Sequence, residues 1–143
     1  MKQFRYLPHT ADMRFRAYGS DFGQALENSA LALLNIMLDI KKIGKDKSKT
    51  LRLRITEVGD NKEEIAWFVL QDILSKVDSR KLSAYSFEIS QLKLGKKISL
   101  KGSLLYKRTR ADYSLLSVKA VTPHNLKVST SKGKCSIEVV VDV

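Results

Sequence analysis

The stretch Met13-Arg14-Phe15-Arg16-Ala17-Tyr18-Gly19-Ser20-Asp21-Phe22 holds a change of period that decides the fold. Met13, Phe15 and Ala17 alternate with Arg14, Arg16 and Tyr18, which puts the apolar side chains on one face of a half-buried strand. Gly19 ends that strand, and Ser20 or Asp21 stands where a helix cap belongs. From Phe22 onward the period lengthens. Phe22, Leu26, Ala30, Leu33 and Met37 recur every three or four residues, predicting an amphipathic helix from about Phe22 to Leu38.

Working outward, a short strand is expected at Gln3–Leu7, and a solvated loop over Lys41–Lys49. Leu51, Leu53 and Ile55 alternate with Arg52, Arg54 and Thr56 as a further strand. A second helix is expected from Asp60 or Asn61 to about Ser79, with Glu63 and Glu64 favourably placed in its first turn. The remainder reads as β: Tyr85–Ser90, then a turn at Gly95-Lys96-Lys97 before Ile98–Leu104, then Leu115–Val121, Leu126–Thr130 and Ser136–Val141, with Gly133 in the last turn. The order β-α-β-α followed by strands predicts an α+β fold, with two helices packed on a largely antiparallel sheet and residues 1–143 forming one domain.

Composition narrows the classes. Hydrophobic residues make up 43% of the 143, too many for a disordered chain. The longest apolar stretch, Leu31–Ile40, is broken by Asn35 and Asp39 and is too short for a membrane span, which needs about 18 residues. The lone Cys135 excludes an intrachain disulfide and a multi-cysteine zinc site. Arg5 and Arg14 come too early for an apolar signal segment, so a reducing, cytoplasmic setting is expected. The net charge of +11 points to an anionic partner such as nucleic acid. The basic residues concentrate in two runs. Lys41, Lys42, Lys45, Lys47, Lys49, Arg52 and Arg54 surround one acid, Asp46. Lys93, Lys96, Lys97, Lys101, Lys107, Arg108 and Arg110 surround none. No RNA-binding aromatic signature accompanies them, and solubility or heat adaptation accounts for such runs equally well.

Several short features each have an ordinary structural reading beside a chemical one. In Leu7-Pro8-His9-Thr10-Ala11-Asp12, Thr10 or Asp12 can simply bond the backbone of a turn, and His9 can be packed or solvated. In the segment ending Val141-Asp142-Val143, the Asp142 carboxylate and the Val143 carboxylate would lie together if the strand is central. Two adjacent carboxylates repel unless a cation joins them, and hard oxygen donors suit Ca²⁺, Mg²⁺ or Mn²⁺. The ordinary reading is a frayed polar end. Lys119, between Val118 and Ala120, is either solvated or an ion partner for an acidic cluster. Asp39 ends a helix where the macrodipole disfavours an acid, and is either a stop signal or has another task. Walker, GxGxxG, GxSxG and HExxH patterns are absent, and Cys135 reads as a small buried hydrophobe.

Taken together, His9-Thr10-Ala11-Asp12 before a strand and Gly19, the helix ending Met37-Leu38-Asp39, the Ala66-Trp67 helix, Lys119-Ala120-Val121-Thr122 with His124, and the final apolar strand with Asp142 resemble the archease family over nearly the whole chain. The resemblance implies an accessory protein, not an enzyme. Such a protein promotes guanylylation and multiple turnover of an RtcB-type tRNA-splicing RNA ligase. It implies a divalent metal, calcium in this family, with Asp12, Asp142 and Val143 as ligands. Asp39, Lys119, His9 and His124 fall at the partner or activation site, without a ligand role for His124. Transfer RNA would be met through the ligase, no membrane is involved, and self-association is compatible with the pattern.

Some positions depart from the family pattern. Pro123 replaces an aromatic residue before His124, and Tyr113-Ser114-Leu115-Leu116-Ser117 replaces a histidine-containing segment with its acid. The chain is basic where relatives are often acidic. Two other functions compete: a basic RNA-binding or chaperone-like module without a metal, and a small metal-dependent hydrolase built on Asp12, Asp39, Asp142 and His9.

Overall fold

The computed structural model describes residues 2–8 and 12–143. Phe15 and Ala17 are fully buried while their neighbours Arg14 and Arg16 are half-buried, so the alternation read in the sequence forms β2 (Met13–Gly19). A hairpin-like pair joins it to β1 (Phe4–Leu7), with Tyr6 opposite Phe15. At Gly19 the strand runs against the helix that follows. A Cβ there would sit 2.3 Å from the Ala25 amide nitrogen, so only glycine fits. Asp21 caps α1 (Phe22–Met37), its Oδ1 accepting from the Gln24 N–H at 2.8 Å. Leu26, Leu33 and Leu34 on α1 are fully buried, and each such side chain contributes about 2 kcal/mol.

Next come α2 (Ile40–Lys45), β3 (Thr50–Gly59) and α3 (Lys62–Arg80), the last capped by Asn61. They are followed by β4 (Ser83–Lys93), β5 (Ile98–Lys107), β6 (Ala120–Val121), β7 (Lys127–Ser131) and β8 (Lys134–Asp142). The strands form two sheets. In the first, β8 lies between β2 on one side and β6 and β7 on the other, with β1 outside β2. In the second, β5 is central between β3 and β4. Every pairing is antiparallel. Helix α1 packs on β2, β8 and β4, and α3 on β3, β5 and β6, so both helices link the two sheets through one continuous apolar core.

Two expectations are corrected. The first turns of Lys41–Lys49 are helical, because Asp39 caps α2 and Ile43 is fully buried. One buried residue among lysines leaves no periodicity to detect. The expected strand Leu115–Val121 shrinks to Ala120–Val121. Leu115 and Leu116 are 62% and 44% exposed, and the segment is held instead by a Leu38–Ser114 bridge and the Leu115 N–H donating to the Met37 carbonyl.

Candidate metal and partner site

The two ends of the alternation meet at one end of the first sheet. Met13 pairs with Val141 at the end of the β2–β8 ladder, with Asp12 directly preceding the one and Asp142 directly following the other. On the other side of β8, Ala120 pairs with Asp142, and the Lys119 N–H donates to the Asp142 carbonyl at 2.7 Å. Val139 and Val141 point into the core, so parity turns Asp142 to the opposite, exposed face. Asp12 is half-buried and Val143 packs its side chain against the core. Three of the expected site residues, Lys119, Asp142 and Val143, thereby lie together, and Asp12 adjoins Met13, the residue paired with Val141.

Holding β6 there falls to α3. With only two residues, β6 leaves the Val121 amide and carbonyl pointing away from β8. The Trp67 indole N–H donates to the Val121 carbonyl at 2.7 Å, and the Val121 N–H donates to Gln71 Oε1 at 3.0 Å. Both backbone groups of an edge strand are satisfied by two side chains one helical turn apart. In the sequence Trp67 reads as apolar helix face and Gln71 carries no signal. Their pairing with Val121 exists only in three dimensions.

Asp39 and His124 have their own local settings. Asp39 caps α2, accepting from the Lys42 N–H at 3.2 Å, and its own N–H donates to the Tyr113 carbonyl. Its position at a helix end is therefore explained by the helix that begins after it. His124 is exposed in the turn between β6 and β7, closed by the Leu126 N–H donating to the Pro123 carbonyl. His9 lies outside the described residues. Among the described residues no three His, Cys, Asp or Glu side chains converge as a metal-binding group. The donors at the strand end are thus two carboxylates and main-chain oxygens. That set is all oxygen and fits a hard cation better than zinc.

Two positions farther along the same face, Glu138 is 8% exposed and sits under Arg14 at 2.7 Å and Arg16 at 3.0 Å. Burial alone would raise its pKa, but the two guanidiniums outweigh it and hold the carboxyl below its ordinary range. This pairing leaves Arg14 and Arg16 committed to Glu138, two positions along β8 from Val140 and four from Asp142.

Asp46 forms a second centre. Its Oδ2 accepts from Thr109 Oγ1 and Tyr113 Oη, its Oδ1 accepts from the Ser48 N–H, and its carbonyl accepts from Lys107 Nζ. The donors around it, Ser48 first and then Tyr113, depress its pKa far below the usual carboxylate range. The one acid of the first basic run thus fastens the 107–113 segment.

Comparison with known proteins places this arrangement. Residues 4–143 match the model of the Archease protein family (MTH1598/TM1083). The protein archease of Methanosarcina barkeri is 31% identical over 150 residues, spanning 99% of this chain and 97% of that one. The solution structure of Methanobacterium thermoautotrophicum protein 1598 superposes with a TM-score of 0.77 at 24% identity, covering 100% of both chains. The crystal structure of an archease from Thermotoga maritima, described as a possible chaperone, gives a TM-score of 0.59 at 17% identity, covering 96% of this chain and 94% of that one. At these identities the two structures show a shared fold, and none of the helices here is long and apolar enough to cross a membrane.

Proposed function

The chain belongs to the archease family, and on that premise we propose that it is an accessory protein, working in the cytoplasm, that activates an RtcB-type tRNA-splicing RNA ligase by promoting its GTP-dependent guanylylation. The observation that supports this reading is the β2–β8 register, in which Asp12 precedes and Asp142 follows the terminal Met13–Val141 pair, with the Lys119 N–H bonded to the Asp142 carbonyl. The names borne by its relatives, archease and possible chaperone, support an accessory role over an enzymatic one. The hydrolase reading loses its support, since Asp39 is spent as a helix cap and no third acid joins the pair among the described residues.

Asp12, Asp142 and a main-chain oxygen of Val143 would hold the divalent cation, calcium by family resemblance. A hard cation there would supply positive charge that phosphate oxygens can share. The chain's own contribution is positional. Val139, Val141 and the Val143 side chain anchor the strand end in the core, and Trp67 and Gln71 fix β6 beside it. Lys119, exposed immediately before β6, offers a cation to an anionic partner group. Activation requires that this rigid end bind one state of the ligase better than the other.

Asp12→Ala and Asp142→Ala should each abolish stimulation of guanylylation of a cognate ligase while leaving the circular dichroism spectrum unchanged. Normal stimulation by both variants would overturn the mechanism.

A further inference from the structure

The two basic runs are distant in sequence, yet β3 pairs with β5 along its whole length and β5 pairs with β4. On β3 the fully buried Ile55 marks the core side, so Arg52, Arg54, Thr56 and Val58 share the opposite, exposed face. Their partners on β5 are Leu105, Ser103, Lys101 and Ser99. Beyond these, β4 places Glu88 beside Ser103, Gln91 beside Lys101 and Lys93 beside Ser99. One sheet face therefore carries Arg52, Arg54, Lys101 and Lys93, separated by hydroxyl and amide side chains. Two residues of each run meet there because β3, β5 and β4 are strands of one sheet.

We propose that the outer face of the β3-β5-β4 sheet binds the phosphodiester backbone of duplex RNA directly. Its one acid, Glu88, is held by Arg52 at 3.0 Å. Arg54, Lys93 and Lys101 enter no ion pair among the described residues, so their charge faces solvent. Strand geometry spaces side chains on one face about 6.8 Å apart along a strand and about 4.8 Å between strands, giving a regular lattice of cations for a run of phosphates. Thr56, Ser99, Ser103 and Gln91 add neutral donors of the kind that contact phosphate and sugar.

The same face is poorly made for other partners. Its exposed large apolar residue is Val58, while Leu105 is buried and half-buried Tyr85 at one end is engaged by the Thr50 hydroxyl and by Lys107 over its ring, so it lacks the apolar core of a protein interface. With Tyr85 engaged in this way and the Arg and Lys positions separated by small polar residues, the face offers no run of open rings on which single-stranded bases stack, which leaves backbone and shape as what is read. The choice of RNA over other polyanions rests on the proposed role beside an RNA ligase. The face itself lies on the sheet that does not carry Asp12 and Asp142.

The test is fluorescence anisotropy of a labelled RNA duplex titrated with the full chain over a series of KCl concentrations. Four phosphate contacts predict a slope of log K against log salt of about −3.6 for a duplex. The double variant Arg54→Gln/Lys101→Gln should lower the magnitude of that slope by about 2 and weaken binding at least tenfold at low salt. Glu88→Gln, which removes the one acid, should tighten binding. Both variants should stimulate guanylylation of the ligase in the absence of RNA as the parent does. That readout separates failure of this inference from failure of the proposed function. Absent or salt-independent RNA binding, unchanged binding by the double variant, or binding of anionic phospholipid vesicles in place of RNA would each overturn it.

Discussion

The acid-bearing end of the first sheet and the basic face of the second are built in opposite ways. In the first, Asp12 and Asp142 flank the terminal Met13–Val141 pair of the β2–β8 register, with β6 clamped alongside by Trp67 and Gln71. The second is a matter of side-chain composition on three long strands whose pairing is set by the apolar core beneath. A site made by register is sensitive to changes that never touch it. A site made by composition responds to the charges themselves. This difference can be broken or sharpened by experiment.

The largest effect is expected at Gly19. Replacement by Ala drives a Cβ into the α1 backbone, which cannot yield as a side chain could. Gly19→Ala should cost about 3 kcal/mol in urea denaturation, and loss of activation should follow the loss of folded protein. A cost under 0.5 kcal/mol would show that β2 and α1 separate easily, and that the register is looser than drawn.

Trp67→Phe is the intermediate case. It removes the donor to the Val121 carbonyl without removing the ring, leaving a backbone acceptor at an edge strand unsatisfied, for about 1–2 kcal/mol. Amide exchange at Lys119 and Thr122 should quicken, and activation should fall, while the salt slope of RNA binding stays as in the parent. A fall in RNA binding of equal size would erase the distinction between the two regions.

The smallest effect concerns an acid pair that is the counterpart of Asp12 and Asp142. Glu57 on β3 faces Asp72 and Lys76 on α3, and Lys76 is bonded to Asp72 at 3.1 Å. Burial, then the hydrogen bond to Asp72 and its charge, push Glu57 up to about 7, against the pull of Lys76. The folded state therefore holds the proton more tightly than the unfolded chain. Its contribution to stability is fully present below the ordinary value of 4.5 and is lost as pH rises to about 7. Glu57→Gln should flatten the decline in melting temperature across that interval. An unchanged decline would remove Glu57 as its source. The Glu57–Asp72 pair is thus reconciled by a proton.

The sequence made the periodic parts legible. The change from period two to three-and-four at Gly19, the caps Asp21 and Asn61, and the Gly133 turn with its φ of 64° all stand where local patterning puts them. The candidate site was less legible. Alternation shows which face Asp142 takes but not which strand lies beside it, and only the family resemblance joined Asp12 to it. Gln71 was missed because an isolated glutamine on a helix means nothing until its partner is known. Ile43 was too solitary to reveal α2. Leu115 and Leu116 read as strand from apolar content, although their exposure shows content without alternation to be weak.

The placement of β8 also sets an order of events during synthesis. The strand that holds the first sheet together comes from residues 134–142, and its partner β2 from residues 13–19. The second sheet, whose strands β4 and β5 are neighbours in the chain, can form from earlier residues alone. Long-range pairing of the β2–β8 kind is slow and closes late. A nascent or truncated chain would therefore display its basic surface well before the first sheet, and the strand end that bears Asp142, is assembled.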